Sequence, residues 1–303
     1  MRDAFFGALY DLAVVDRAIT ILSNDFGAPS LDRFRADLPD QFINAAISEQ
    51  NMVSTAAGMA LGGHKVIVYS IASFVTLRAL EQIKIDVCVM KAPVMIVGVG
   101  CGYAYSVDGP THHATEDIAV MRAMPGMTIL SPSEPAAAAA VVPLVANLQS
   151  PHYLRLDRGR WPMLGDIDVA QGCRTLRRGA NVALVATGIM VHRAVEIADC
   201  LAQRGLSATV IDLFGLKPVN AEALLKALGQ APAIATIEEQ GASGGLGGLV
   251  AELLADHGQL RPLKRFAIAD ELVYAYGDRK ALHGQQGLDA ESAAASLCTW
   301  LNR

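Results

Sequence analysis

At 303 residues, 52% hydrophobic and 18% charged, the chain has ample apolar surface for a packed core and too little charge density for disorder. The formal net charge of −5 offers no basic field for phosphate backbones or anionic lipids, so nucleic acid and membrane surfaces are poor candidate partners and small molecules better ones. Compact domains usually hold about 100–200 residues, and this length predicts two.

The amino terminus carries Arg2 and Asp3 but no apolar core followed by a small-residue cleavage site, so a cytoplasmic location is expected. Ser48 opens an alanine-rich helix that reaches Leu61 and stops at Gly62-Gly63, and the strand Val66–Tyr69 follows. A helix over Arg78–Val89 ends before Pro93, and Val94–Val97 reads as a buried parallel strand. Met127–Leu130 is strand-like, and Pro132–Leu148 reads as a helix kinked at Pro143. Within it, the longest apolar run, Ala136–Ala146, falls short of the roughly 20 residues that cross a bilayer. His152–Leu156 closes the first unit.

A stretch rich in Gly, Pro and Asp marks a boundary, giving domains at 1–165 and 179–303 with 166–178 as linker. Beyond it, strands at Val182–Ala186, Thr209–Leu213, Ile234–Ile237 and Phe266–Ala269 alternate with helices at Val191–Arg204, Ala221–Leu228 and Leu246–His257. Both halves therefore predict an α/β class with mostly parallel sheets. Five cysteines, odd in number and without a C-x-x-C pair, argue against a disulfide frame or a zinc site.

Glu49 stands alone at a helix start in an apolar stretch, where desolvation favours the neutral carboxyl and the helix dipole the ionised one. On residue type alone, a helix-end glutamate satisfies it. Asp108-Gly-Pro-Thr-His112-His113-Ala-Thr-Glu116-Asp117 is a polar turn between buried strands, the place where α/β sheets put ligands. On the residues alone, a surface turn with Thr111 or Thr115 capping the next helix is the favoured reading, and no metal-ligand spacing emerges from His112, His113 and Glu116. Gly244-Gly-Leu-Gly-Gly opens a helix after a strand but lacks the dinucleotide spacing, and is read as structural.

Ile47-Ser-Glu49-Gln-Asn-Met-Val-Ser-Thr-Ala-Ala-Gly and Asp108-Gly-Pro-Thr-His112 resemble the transketolase family and the carboxy-terminal half of deoxyxylulose-phosphate synthases. Arg155-Leu-Asp-Arg158-Gly, Ala183-Leu-Val-Ala-Thr-Gly-Ile-Met-Val and Ile237-Glu-Glu-Gln extend the resemblance over nearly the whole chain. It implies a thiamine-pyrimidine-binding domain followed by a transketolase-type carboxy-terminal domain. It further implies that Glu49, as a protonated carboxyl, hydrogen-bonds N1′ of thiamine diphosphate. Asp108 and His112 would face substrate hydroxyls, with His112 moving protons near neutral pH. Ser73-Phe74-Val-Thr-Leu-Arg78-Ala-Leu-Glu81-Gln82 is similar to a family segment in which an aromatic ring packs on the pyrimidine, which places Phe74 and Arg78 at the cofactor. Arg158 would hold a substrate phosphate.

The family's Gly-Asp-Gly metal segment is absent from the sequence. The resemblance therefore implies a partner, an amino-terminal-type transketolase subunit that carries the diphosphate domain and binds Mg²⁺ or Ca²⁺, in an α2β2 heterotetramer. Gly100 stands where the family carries a phosphate-binding histidine, and Ala28-Pro29 lies near where it has a serine, so a less charged sugar is expected as donor or acceptor. The leading function is two-carbon ketol transfer between a ketose and an aldose. The alternatives are the β subunit of a 2-oxo acid dehydrogenase E1 and a non-catalytic scaffold subunit.

Overall fold

The structure, a computed structural model, describes residues 1–302. Helix Arg2–Val15 turns Phe5, Phe6, Leu9 and Ala13 into the core. Six short strands follow, β1 (Ile19–Ser23), β2 (Phe42–Asn44), β3 (Lys65–Ile71), β4 (Val94–Val99), β5 (Thr128–Leu130) and β6 (His152–Leu156). They pair in parallel in the order β5-β6-β4-β3-β1-β2. Val66–Ile71 and Val94–Val99 are buried throughout, which is why they read as continuous apolar runs rather than alternating ones.

The second sheet holds β7 (Cys173–Arg177), β8 (Val182–Ala186), β9 (Ala208–Leu213), β11 (Ile234–Gly241) and β12 (Leu263–Ile268), in the order β12-β11-β8-β9-β7. Only β7 runs antiparallel, against β9. One strand crosses between the sheets: β10 (Gly215–Lys217) leaves the second domain and pairs antiparallel with β5 at the edge of the first sheet. The two α/β domains with mostly parallel sheets are those expected from sequence.

Several local expectations change. The linker set at 166–178 contains β7, whose half-buried Arg174, Thr175 and Arg177 give an edge strand no apolar signature. The single helix over Arg78–Val89 is instead π-helical at Phe74–Arg78 and Ile83–Val89 around a short α turn, Leu80–Gln82. Such widened turns recur at functional sites. The helix over Pro132–Leu148 is split into Pro135–Ala140 and Pro143–Ala146, because Pro143 has no N–H to continue the ladder.

The glycine run Gly244–Gly248 is structural, as read, and the contacts give the reason. Glu238 accepts hydrogen bonds from the backbone N–H of Leu246 (2.6 Å) and Gly247 (2.7 Å), so the first turn of helix Leu246–Asp256 is already capped by a carboxyl of this chain. A side chain at Gly247 would collide with Arg265, so only glycine lets this helix approach β12 so closely. Burial pushes the Glu238 carboxyl up from 4.5 to about 7 despite its two amide donors. The folded state thus holds an extra proton between those values, and stability falls as pH rises through that window. Glu238→Gln is expected to flatten the fall in thermal-melt midpoints across it, and an unchanged pH slope would refute this.

The end of β11 also grips the first domain. Gln240 Nε2 donates to the Ala114 carbonyl (2.9 Å) and to Asp117 Oδ1 (2.5 Å), and its Oε1 accepts from Ile118 N (3.2 Å). Asp117 Oδ2 meanwhile accepts from Tyr153 Oη (2.7 Å) and Arg155 Nε (2.8 Å), an ion pair buried on both sides. Nearby, Arg279 donates to both oxygens of Glu239, to Asp157 Oδ2 (2.5 Å) and to the Cys101 carbonyl (3.0 Å). Asp117, Asp157 and Glu239, dry between the domains, therefore each have a cationic or amide donor.

Candidate active site

In the first sheet the chain passes from β1 outward to β2, then returns to the other side of β1 for β3. This reversal opens a crevice at the carboxyl ends of β1 and β3, where open α/β sheets bind ligands. Asn24, Asp25 and Phe26 follow β1 into it, and Ser70 and Ile71 end β3 there. Glu49, Phe74 and Arg78 complete the walls of a cleft of about 170 Å³.

Glu49 is 3% exposed at the first position of helix Glu49–Leu61. The turn before it is held in shape: Ala46 sits at φ 52°, a left-handed conformation that costs a non-glycine residue on the order of 1–3 kcal/mol. Asn24 Nδ2 (2.8 Å) and Asp25 N (3.0 Å) both donate to the Ala46 carbonyl, and Asn44 Oδ1 accepts from Ala46 N (2.8 Å). Arg78 Nη1 donates to Glu49 Oε2 at 2.7 Å, and the same guanidinium lies 4.5 Å over the Phe74 ring. Sequence reasoning brings Glu49, Phe74 and Arg78 to one site, and all three line this cleft. It does not anticipate the contact between the two charged members, since nothing in their spacing of 29 positions encodes it.

Beyond Phe74 stands the loop that follows β4. A bridge between Gly102 and Ala114 closes its base, and the loop carries Asp108 and His112 outward. The His112 ring meets the Phe74 ring edge-on at 5.0 Å, and its Nδ1 lies 2.9 Å from Thr111 Oγ1. His113 points the other way, buried against the Ser106 carbonyl (3.4 Å) and the Tyr103 ring, and burial lowers its pKa. Asp108 and Arg158 are exposed and stand further out. Tyr105, which sequence reasoning passes over, meets both His112 and Arg158: its ring centroid lies 5.9 Å from that of His112, and the Arg158 guanidinium carbon lies over it, 4.7 Å from the centroid.

The cleft suits one part of thiamine diphosphate. A buried carboxyl, a half-buried aromatic ring and a small volume fit an aminopyrimidine, with Glu49 able to meet a ring nitrogen and Phe74 a ring face. They do not fit the diphosphate and its metal. Among the described residues no group of three or more His, Cys, Asp or Glu side chains could hold a metal ion. A cavity of about 590 Å³ lies by Leu206, Pro232 and Trp300 in the second domain, and the described residues of its wall include no ionisable side chain.

Fold and site together define a two-domain α/β protein with a candidate binding crevice at a topological switch point. Residues 1–163 match the family "Transketolase, pyrimidine binding domain" and residues 172–292 match "Transketolase, C-terminal domain". One of the subunits of an apulose-4-phosphate transketolase from Actinobacillus succinogenes is 35% identical over 277 residues, 90% of this chain and 89% of that one. A 1-deoxy-D-xylulose-5-phosphate synthase from Thermomicrobium roseum is 35% identical over 307 residues, 99% of this chain but 48% of the longer protein. A solved structure described as "Split gene transketolase, inactive beta4 tetramer" superposes with a TM-score of 0.90 at 32% identity, covering 99% of this chain and 98% of the other. The chain belongs to the transketolase family, in the form of its carboxy-terminal half. Membership supports a thiamine-diphosphate-dependent transferase of the transketolase type. No helix among the described residues is long and apolar enough to cross a membrane.

Proposed function

We propose that this chain is the pyrimidine-side subunit of a split transketolase, moving a two-carbon ketol unit from a ketose to an aldose. Its partner is an amino-terminal-type subunit that supplies the diphosphate and Mg²⁺ (or Ca²⁺) site, two copies of each forming an α2β2 assembly. The observation that carries the reading is Glu49, dry at the bottom of a cleft large enough for a pyrimidine, with no metal-holding cluster among the described residues. The exposed apolar residues Ile47, Leu77, Ile85, Val89 and Met90 lie on the segments around this cleft and suit coverage by another chain. A relative of nearly the same span is named as one subunit of a transketolase, and a similar structure is described as inactive, so activity is sought in the assembled complex.

Thiamine diphosphate, when bound, supplies the carbon nucleophile that accepts and releases the ketol unit. Glu49 would meet the pyrimidine N1′ as a proton donor through its free oxygen, Oε1, since Oε2 already accepts from Arg78 at 2.7 Å. Phe74 packs on the ring face and keeps water from it. His112, next in line, takes and returns the proton of a substrate hydroxyl, and Asp108 orients the hydroxyls. Arg158 meets the far end of the sugar.

Calorimetric titration of thiamine diphosphate and Mg²⁺ into the chain alone, then into the chain co-expressed with an amino-terminal-type subunit, tests the division of labour. Tight binding is expected only in the complex. Tight, metal-dependent binding to the isolated chain would overturn the split-site reading.

A further inference from the structure

Gly100 follows β4 at φ 83°, a conformation suited to glycine, and its open side is filled. A Cβ built on it would fall within the Tyr105 ring, against Cδ2 and Cε2. The phenol thus occupies the room that a side chain at position 100 would need, directly above the strand that launches the substrate loop. The ring also carries the Arg158 guanidinium over it, 4.7 Å from its centroid. Its centroid lies 5.9 Å from that of the tilted His112 ring. The charges around it are mixed: burial pushes the Tyr105 phenol up, Arg158 and Arg2 pull it down, and Asp108 and Cys101 push it up again.

An arginine on an exposed loop is usually mobile and solvated, and it recognises an oxyanion well only when its planar fork is already aimed. Stacking fixes the guanidinium plane while leaving its N–H edges free for a ligand. We infer that Tyr105 is a specificity-determining residue, whose ring replaces a side chain at position 100 and holds Arg158 ready for an anionic group at the substrate end remote from the carbonyl. This rests on the proposed ketol transfer. It also revises the expectation drawn from Gly100: one ligand position is given up there, but the space is used to orient a cation, so a sugar phosphate or sulfonate is favoured over a neutral sugar.

The test compares kcat/KM of the assembled complex, with a fixed donor, for D-glyceraldehyde 3-phosphate and for D-glyceraldehyde as acceptors. Tyr105→Ala is expected to cut the preference for the phosphorylated acceptor about tenfold, through KM for that acceptor alone. Tyr105→Phe should keep it, since the ring and not the hydroxyl does the stacking. Gly100→Ala, whose methyl displaces the ring, should lose it as Tyr105→Ala does. If Tyr105→Ala does not fold, Tyr105→Leu fills the volume without a stacking face and should show the same loss. Equal losses with both acceptors, or an unchanged ratio, would overturn the inference. A wild-type complex that transfers ketol units but shows no preference would overturn it too, leaving the proposed function standing, whereas absence of any transfer would remove both.

Discussion

Replacement of Glu49 by Gln is expected to lower turnover of the assembled enzyme by roughly 10²–10⁴-fold, the usual range for losing a positioned acid–base group. The amide matches the carboxyl in shape and can still accept from Arg78, so the helix start, held by Asn24 and Asn44, should stay in place. What it lacks is a proton to hold and release at N1′. Cofactor binding should survive and turnover should not, and this split distinguishes a chemical role from a structural one. Single-turnover and steady-state assays with the complex decide it. Activity within about tenfold of wild type would remove Glu49 from the chemistry.

Arg279→Met is expected to have the largest effect on stability. It strips the guanidinium from Glu239 and Asp157, whose side chains are 1% and 3% exposed, and leaves two buried carboxylates without their shared cation. Breaking a buried ion pair from one side costs about 3–5 kcal/mol. In the wild type, burial pushes the Glu239 carboxyl up, but Arg279, helped by His283, outweighs this and holds it at about 2. A depressed carboxyl contributes stability that is complete above its ordinary value of 4.5 and is lost as pH falls toward 2. The variant should reverse the sign and recover stability on acidification from neutrality, as the buried Glu239 carboxyl, freed of Arg279, takes up a proton. Denaturant titrations at neutral and mildly acidic pH measure both effects, and a loss below about 1 kcal/mol at neutrality would refute the first. Glu239→Gln in the Arg279→Met background should restore part of the loss.

Sequence reveals the site and the layered fold to different depths for physical reasons. Strands buried on both faces, such as Val94–Val99, announce themselves as apolar runs, and Ser48, Gly62 and Gly63 punctuate the helix between them. Edge strands do not: β7 and β10 are short, partly polar and defined by partners far along the chain. Glu49, Phe74 and Arg78 are found through residue type and resemblance, and they line one cleft. Their ion pair, the ring of Tyr105 over Gly100 and the grip of Gln240 on the loop base depend on three-dimensional proximity with no repeating interval. Gln240 and Ala114, for instance, lie 126 positions apart. The resemblance suggests what each residue does, and the crevice at the β1/β3 reversal explains why they meet.

Strand β10 has a bearing on how such a protein can change over generations. The backbone goes out into the second domain, comes back to finish the first sheet, and leaves again. A crossover that exchanged the carboxy-terminal domain for a foreign one would take this strand with it and uncover the β5 edge, an open row of backbone donors and acceptors prone to sticking to other chains. The two domains are therefore heritable as one block, and recombination that keeps them together is the kind that leaves a working sheet behind.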